Sequence, residues 1–107
     1  MITVTKFYAD WCAPCKALGT LLEWEQKKSP EAFKYEQINI EDNPDKAIAA
    51  NVKAIPTTIV YSVEGAELAR FIGNPGLSKI NEILSGFTTL NKPDNLNDSL
   101  NGTVLGE

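Results

Sequence analysis

The chain carries both of its cysteines in one stretch, Trp11-Cys12-Ala13-Pro14-Cys15-Lys16, where a strand-like run gives way to a helix-like one. Two cysteines separated by two residues near a β-α-β pattern are typical of a dithiol–disulfide couple. The start of a helix favours the thiolate, because the helix dipole places positive partial charge there. The stretch therefore predicts a redox-active pair, Cys12 and Cys15, as the active site.

Two other interpretations of the cysteine pair stay open. One is an inert structural disulfide, although the chain-entropy model gives only about 2 kcal/mol for so short a loop. The other is a structural zinc site, which prefers four ligands, whereas this chain offers two cysteines and no histidine. A zinc site therefore requires a dimer that pools two cysteine pairs.

Length and charge limit the class of protein. A chain of 107 residues suits one domain, and its net charge of −4 argues against a nucleic-acid-binding footprint. Residues 1–7 lack the features of a signal peptide, and no stretch has the apolar length of a membrane span. We therefore expect a cytoplasmic protein that uses neither nucleic acid nor membrane as a partner.

Hydrophobic periodicity predicts the element order β-α-β-α-β-β-α. The two early β-α units predict parallel crossovers, and the later hairpin adds an antiparallel edge to the same sheet. The expected fold class is α/β, with a four-stranded mixed sheet flanked by helices. Strands are predicted at 2–8, 33–40, 56–61 and 67–72, and helices at 12–28, 44–52 and 77–87.

The last part of the chain has a different composition. Residues 88–107 are rich in asparagine and poor in apolar side chains, so we expect a domain at 1–87 followed by a polar C-terminal tail. Leu96, Leu100 and Val104 recur at every fourth position. A short helix docked on the domain is therefore an alternative to disorder for this tail.

Two motifs together resemble the thioredoxin family. The first is Phe7-Tyr8-Ala9-Asp10-Trp11-Cys12-Ala13-Pro14-Cys15-Lys16, and the second, Ile55-Pro56-Thr57, begins 40 residues after Cys15. The resemblance spans about residues 2–87. It implies a thioredoxin-like fold in which Pro56 takes the cis form beside the disulfide and Gly73 lies near the same surface.

The resemblance also implies a mechanism and partners. Cys12 is the expected nucleophile and Cys15 the resolving cysteine, and the backbone of Ile55 pairs with an extended stretch of the substrate protein. Trp11 either covers the loop or contacts the substrate. The implied protein is a monomeric reductant of protein disulfides, recharged by a thioredoxin-reductase-type donor and without a bound cofactor.

Two alternative functions are compatible with the same pattern. A glutaredoxin-like protein that uses glutathione fits the compact element order, although the residues around the cysteines resemble thioredoxin more closely. A thioredoxin-fold binding or accessory subunit needs no redox chemistry, and the intact pair Cys12 and Cys15 argues against this as the only role.

The sequence departs from the family around the second cysteine. Thioredoxins typically carry a buried aspartate six residues before the first cysteine and a lysine on the neighbouring strand, and these positions hold Lys6 and Gln37. One hypothesis is that Lys6 stabilises the thiolate of Cys15 or the mixed-disulfide stage. The alternative is that its stem packs while the ammonium reaches the sheet end or pairs with Glu36 or another acid.

Two further departures concern the helix and the start of the chain. Gly19-Thr20 stands where the family usually bends this helix with proline, so any bend must come from these residues. The chain also starts at what is normally the family's second strand. We therefore expect a sheet edge that the family usually covers with its leading strand and helix, and residues 88–107 are a candidate cover.

Overall fold

The computed structural model describes residues 1–90, with side chains described for residues 1–87. The predicted element order is confirmed, with boundaries that differ by a few residues, and α3 continues past residue 87. The predicted tail from residue 91 onward lies outside the described residues. The elements are β1 (Ile2–Tyr8), α1 (Ala13–Lys28), β2 (Phe33–Asn39), α2 (Pro44–Ala49), β3 (Thr57–Tyr61), β4 (Glu67–Ile72) and α3 (Leu77–Leu90).

The four strands form one mixed sheet in the order β2-β1-β3-β4. β1 and β2 are parallel, whereas β3 is antiparallel to both β1 and β4. The prediction of two parallel crossovers is thus right for β1-α1-β2 and wrong for β2-α2-β3. Helix α2 has six residues, about 9 Å, and a strand of seven residues such as β2 spans about 23 Å, so α2 cannot carry the chain back along the sheet.

This short connection positions the active site. Because the chain crosses the sheet near the carboxyl end of β1, β3 begins there, and Thr57 pairs with Phe7. The residues just before β3 therefore lie beside the residues just after β1. These two segments contain Pro56 and Cys12, which are 44 positions apart in the sequence.

Apolar side chains cover both faces of the sheet. On one face, α1 and α3 bury the larger cluster, and on the other, α2 covers a smaller one. Burial of each large apolar side chain stabilises the fold by about 1.5 to 3 kcal/mol. The larger cluster consists of Ile2, Val4, Leu18, Leu22, Phe33, Val60, Ile80 and Leu84, and the smaller of Phe7, Ala47 and Ile59.

Helix α2 is shorter and less buried than the sequence pattern predicts. It ends at Ala49, and Asn51 then takes a left-handed conformation with φ of 58°. Ala47 is its buried residue, whereas Ile48 is 78 % exposed. A helix of fewer than two turns cannot present a continuous apolar face, so Ile48 faces solvent while Val52, beyond the end of α2, packs against the smaller cluster.

Candidate active site

The two cysteines lie at the start of α1. Cys12 is the N-cap residue, and its Sγ accepts a hydrogen bond from the backbone N–H of Cys15 at 3.2 Å. The two residues form a disulfide with a Cα–Cα distance of 5.2 Å. The first turn of α1 contains Pro14 but no acidic residue. The helix N-terminus therefore acts on the sulfurs without an opposing carboxylate in that turn.

Burial differs between the two cysteines. Cys15 is fully buried, and Cys12 is 5 % exposed. Both pack against Ala9, with Tyr8, Ile40 and Ile55 around them. The backbone N–H of Cys12 donates to the carbonyl of Ala9 at 3.2 Å. The strand-to-helix turn thus presents the Cys12 side of the disulfide to the surface and keeps the Cys15 side inside.

Three further predicted site residues are Ile55, Pro56 and Gly73, of which Pro56 has a fully buried side chain. The Ile55–Pro56 peptide is cis, which confirms the expected form, and Ile55 packs against the cysteines. The N–H of Gly73, which has a φ of +84°, donates to the carbonyl of Pro56 at 2.8 Å. Within residues 1–90, the N–H and C=O groups of Ile55 make no hydrogen bond to other backbone groups.

Trp11 lies on the surface next to Cys12. Its side chain is 68 % exposed, and the indole Nε1–H donates to the Glu41 carboxylate at 2.8 Å. The loop that holds Glu41 is fixed by Asn39, whose Oδ1 accepts the N–H of Glu41 at 2.9 Å. No local sequence pattern indicates this contact, because Trp11 and Glu41 are 30 positions apart.

Lys6 projects beneath the second cysteine. It is 3 % exposed, and its Nζ donates to the carbonyl oxygen of Cys15 at 3.0 Å. The Nζ also lies 5.0 Å from the centre of the Tyr8 ring. The alternative of a pair with Glu36 is wrong, because Lys6 donates to the Cys15 carbonyl and makes no ion pair with Glu36. The Glu36 carboxylate instead accepts a hydrogen bond from the Thr5 hydroxyl at 3.0 Å.

A recess in α1 accommodates the Lys6 ammonium. A Cβ atom at Gly19 would lie 2.5 Å from Nζ, so the absence of a side chain at this position leaves room for the charge. Burial lowers the pKa of Lys6, and the negative charge of Glu23 acts in the opposite direction. The sequence indicated Gly19 as a possible helix bend, and its contact with Lys6 was missed.

The neighbours of Lys6 form a polar cleft between β1 and α1. The cleft has a volume of about 220 Å³. Gln37 pairs with Lys6 across the strands, and Thr20 donates its hydroxyl to the carbonyl of Lys16 at 3.2 Å. Lys16 itself is exposed. The residues that line the cleft are Lys6, Tyr8, Ala9, Asp10, Lys16, Gly19, Thr20, Glu23 and Gln37.

In residues 1–90, no three histidine, cysteine, aspartate or glutamate side chains come together in an arrangement that could hold a metal ion. None of the helices in this part is both long and apolar enough to cross a membrane.

The family model described as Thioredoxin matches residues 1–86. The chain belongs to the thioredoxin family. It is 33 % identical over 79 residues to Thioredoxin-1 of Saccharomyces cerevisiae, covering 73 % of this chain and 75 % of the relative. It is 27 % identical over 86 residues to the thioredoxin of Listeria monocytogenes, covering 80 % and 82 % of the two chains.

Solved structures agree with this assignment. The chain resembles Fasciola hepatica thioredoxin with a TM-score of 0.72 and 28 % identity, covering 79 % of each chain. A mutant thioredoxin from Halobacterium salinarum gives a TM-score of 0.74 at 23 % identity, covering 81 % and 74 % of the two chains. The second likeness shows the fold alone. The thioredoxin-like fold predicted from the sequence is confirmed.

Family membership and the cysteine geometry together define the activity. Thioredoxins exchange dithiols for disulfides, and this chain places Cys12 and Cys15 in a disulfide at the start of α1. The protein is therefore a thiol–disulfide oxidoreductase that acts on disulfide substrates. Family members are typically recharged by a thioredoxin reductase.

Proposed function

We propose that this thioredoxin reduces disulfides of other proteins, with Cys12 as the nucleophile and Cys15 as the resolving cysteine. One observation carries this proposal: Cys12 caps α1 at the surface, whereas Cys15 is fully buried behind it. A substrate disulfide can therefore reach only Cys12. Hydrogen bonding from the Cys15 N–H to Cys12 Sγ, together with the helix N-terminus, favours the thiolate of Cys12.

The proposed reaction has two exchange steps. The Cys12 thiolate attacks one sulfur of the substrate disulfide, so a mixed disulfide forms and the other substrate sulfur leaves as a thiolate. Cys15 then loses its proton and attacks Sγ of Cys12, and the second substrate sulfur leaves. Two electrons pass to the substrate, whose two thiolates take up protons, and the Cys12–Cys15 disulfide described here is the product.

The substrate-binding surface in this proposal surrounds Cys12. The free N–H and C=O groups of Ile55 pair with an extended segment of the substrate, as a strand adds to a sheet edge. Pro56 and Gly73 shape the backbone beside that segment. The exposed ring of Trp11 contacts an apolar side chain of the substrate, and its bond to Glu41 limits the freedom lost on binding.

The proposed setting follows the family. The electron donor is a reductase of the thioredoxin-reductase type, and the protein works as a cytoplasmic monomer. The redox domain extends through the end of α3 at Leu90, and the sequence after it is polar in composition. In support, the residues around Cys12 match the family's pattern, Trp11 to Lys16 and Ile55 to Thr57 included.

Insulin reduction tests the proposed function. We expect the reduced protein to cleave insulin disulfides catalytically with NADPH and a thioredoxin reductase, and slowly with glutathione, NADPH and glutathione reductase. Turnover with the glutathione system but not with thioredoxin reductase would assign the protein to glutaredoxin-like chemistry. Full activity in cells of a variant with both cysteines changed to serine would instead favour an accessory-subunit role.

A further inference from the structure

The Lys6 side chain is a buried cation next to the second cysteine. Its Nζ donates to the carbonyl oxygen of Cys15, and the residue is 3 % exposed. Within residues 1–90, no carboxylate lies within 4.0 Å of this nitrogen. The charge therefore has no ion-pair partner of its own at that distance, and the nearest partner is the backbone of Cys15.

We propose that Lys6 is a positioning residue for the resolving step: its ammonium, seated in the recess at Gly19 and bonded to the Cys15 carbonyl, stabilises the Cys15 thiolate. This inference rests on the proposed function, in which Cys15 resolves the mixed disulfide. In this role Lys6 acts electrostatically and exchanges no proton with the cysteines.

Burial strengthens the effect of this charge. Water screens an exposed ammonium, whereas a buried one acts through a medium of lower effective dielectric constant. A nearby positive charge favours the ionised form of a thiol, and the Lys6 ammonium is 3.0 Å from the carbonyl oxygen of the same residue, Cys15. Lys16, the residue after Cys15, also carries a positive charge but is exposed. The buried lysine therefore has the stronger influence on Cys15, although the exposed one is adjacent in sequence.

The recess at Gly19 fixes the place of the ammonium. Because any Cβ atom there would lie 2.5 Å from Nζ, a side chain at this position must displace the ammonium from the Cys15 carbonyl. The lysine stem is flexible, so the displacement requires little of the rest of the fold. Gly19→Ala thus moves the charge without removing it.

Other charged and titratable groups around the site modulate the charge of Lys6. Glu23 faces the ammonium from α1 and opposes the effect of burial on the pKa of Lys6. By linkage, a thiolate at Cys15 favours the charged form of Lys6, so the two charges stabilise each other. The polar groups facing Lys6 are Tyr8 from β1, Asp10 from the following loop, Lys16 and Glu23 from α1, and the uncharged Gln37 from β2.

The step that Lys6 assists is a balanced exchange. In the mixed disulfide, the Cys15 thiol releases its proton to water, and the thiolate attacks Sγ of Cys12. The bond between Cys12 and the substrate sulfur breaks, and the electron pair leaves with that sulfur as a thiolate. Lys6 forms and breaks no covalent bond in this step.

A stopped-flow experiment isolates the resolving step. Excess dithiobis(nitrobenzoate) is mixed with the fully reduced protein, and release of the coloured thiolate is followed at a series of pH values. The first release depends on reagent concentration and reports Cys12. The second is unimolecular and reports attack by Cys15, so its pH profile gives the apparent pKa of Cys15. Cys15→Ser must lose the second release.

The variants are Lys6→Met, Gly19→Ala and, as a matched control, Lys34→Met. Methionine keeps much of the stem of Lys6 without its charge. Lys34 is an exposed lysine on β2, so its replacement changes the net charge equally. We expect Lys6→Met to raise the apparent pKa of Cys15 by about one unit, Gly19→Ala to raise it by less, and Lys34→Met to leave it unchanged.

The rate itself should change in opposite directions at low and high pH. A thiol with a pKa one unit higher has about tenfold less thiolate below its pKa, but each thiolate is about threefold more reactive. The second release should therefore slow about threefold below the pKa and accelerate about threefold above it. A purely structural defect would slow the reaction at every pH.

Two results are decisive. A unimolecular second release with the same pH profile in wild type, Lys6→Met and Gly19→Ala would overturn the inference while leaving the proposed function intact. A second release that persists in Cys15→Ser, or that is absent in wild type, would overturn the proposed function itself. The circular dichroism spectrum and melting temperature of each variant confirm that it is folded.

Discussion

Cys12 and Cys15 lie 5.2 Å apart at Cα, yet they face different surroundings. The Cys12 half of the site comprises Trp11, Cys12, Ile55, Pro56 and Gly73 and follows the family's sequence pattern. This outward half reaches the surface mainly through the exposed Trp11 and the half-buried Ile55 and Gly73, whereas the Pro56 side chain is fully buried. The Cys15 half, which comprises Cys15, Lys6, Gly19 and Glu23, faces the cleft under α1. There a cation stands where the family typically has a carboxylate.

The difference shows what constrains each half. The outward half is shaped largely by backbone groups, such as the Gly73 N–H on the Pro56 carbonyl and the free peptide groups of Ile55. Such geometry tolerates few changes, because a partner must fit against it. The inward half depends on one long side chain and the space for it. A charge of the opposite sign is accommodated there because Gly19 leaves room.

Serine substitutions of the two cysteines should separate the halves most strongly. Cys12→Ser should remove insulin reduction, because no other thiol faces the surface. Cys15→Ser should also lose turnover but should accumulate a mixed disulfide with the substrate, detectable by mass under non-reducing conditions. Accumulation in Cys12→Ser instead would reverse the roles assigned to the two residues.

Valine at Gly19 should test the space in the inward half. Its side chain would force the buried Lys6 ammonium off the Cys15 carbonyl and leave the charge without its hydrogen bond, so we expect a loss of about 1 to 3 kcal/mol in the free energy of unfolding. Gly86 is the matched control, because it is also helical and no atom lies within 4 Å of a Cβ placed there. Gly86→Val should change stability by less than about 0.5 kcal/mol. Equal losses of stability for Gly19→Val and Gly86→Val in urea unfolding would contradict a recess at Gly19 that holds the Lys6 ammonium.

Alanine at Trp11 should affect recognition more than stability. Loss of the exposed ring should raise KM for insulin about five- to tenfold, a change of about 1 kcal/mol. The first release from dithiobis(nitrobenzoate) should change little, because this small reagent needs less surface. The control is Trp24→Ala, since Trp24 is 52 % exposed on α1 and its ring lies 4.8 Å from Lys28 Nζ. A similar KM for Trp11→Ala and Trp24→Ala would show that Trp11 does not contact the substrate.

The pH dependence of stability should reveal the smallest effect. Burial lowers the pKa of Lys6 from 10.5, so the folded state binds fewer protons than the unfolded state between the lowered value and 10.5. The free energy of unfolding of oxidised wild type, relative to Lys6→Met, should therefore rise with pH through this window, by at most about 1.4 kcal/mol per pH unit. The pH dependence of the free energy of unfolding should be the same for Lys34→Met as for wild type. A difference between wild type and Lys6→Met that falls with pH would contradict a buried ammonium at Lys6.

Much of the architecture followed from the sequence. Alternating apolar residues and helical spacing predicted the seven elements, because each pattern reports which face of a strand or helix is buried. Pro14 in the first turn of α1 agrees with the predicted helix, since a missing N–H is tolerated there. The errors came from α2, where a helix of six residues was too short to return the chain along the sheet.

The cysteine pair and the Ile55-Pro56-Thr57 motif were visible in the sequence because family resemblance is carried by residue identity. Their meeting depended on the antiparallel placement of β3 beside β1, which the local pattern predicted wrongly. The contact between Trp11 and Glu41 likewise joins two loops that no periodicity connects. Contacts of this kind depend on how the elements pack.

The sequence alone determined the order of the elements, the redox pair and the departure at Lys6. Tertiary structure alone decided where the ammonium of Lys6 lies: on the Cys15 carbonyl, in the space above Gly19, and not on Glu36. The physical reason is that a lysine side chain has four flexible bonds and several acceptors within reach. Its position is set by the space and charges that distant elements bring together, and no local pattern of residues records these.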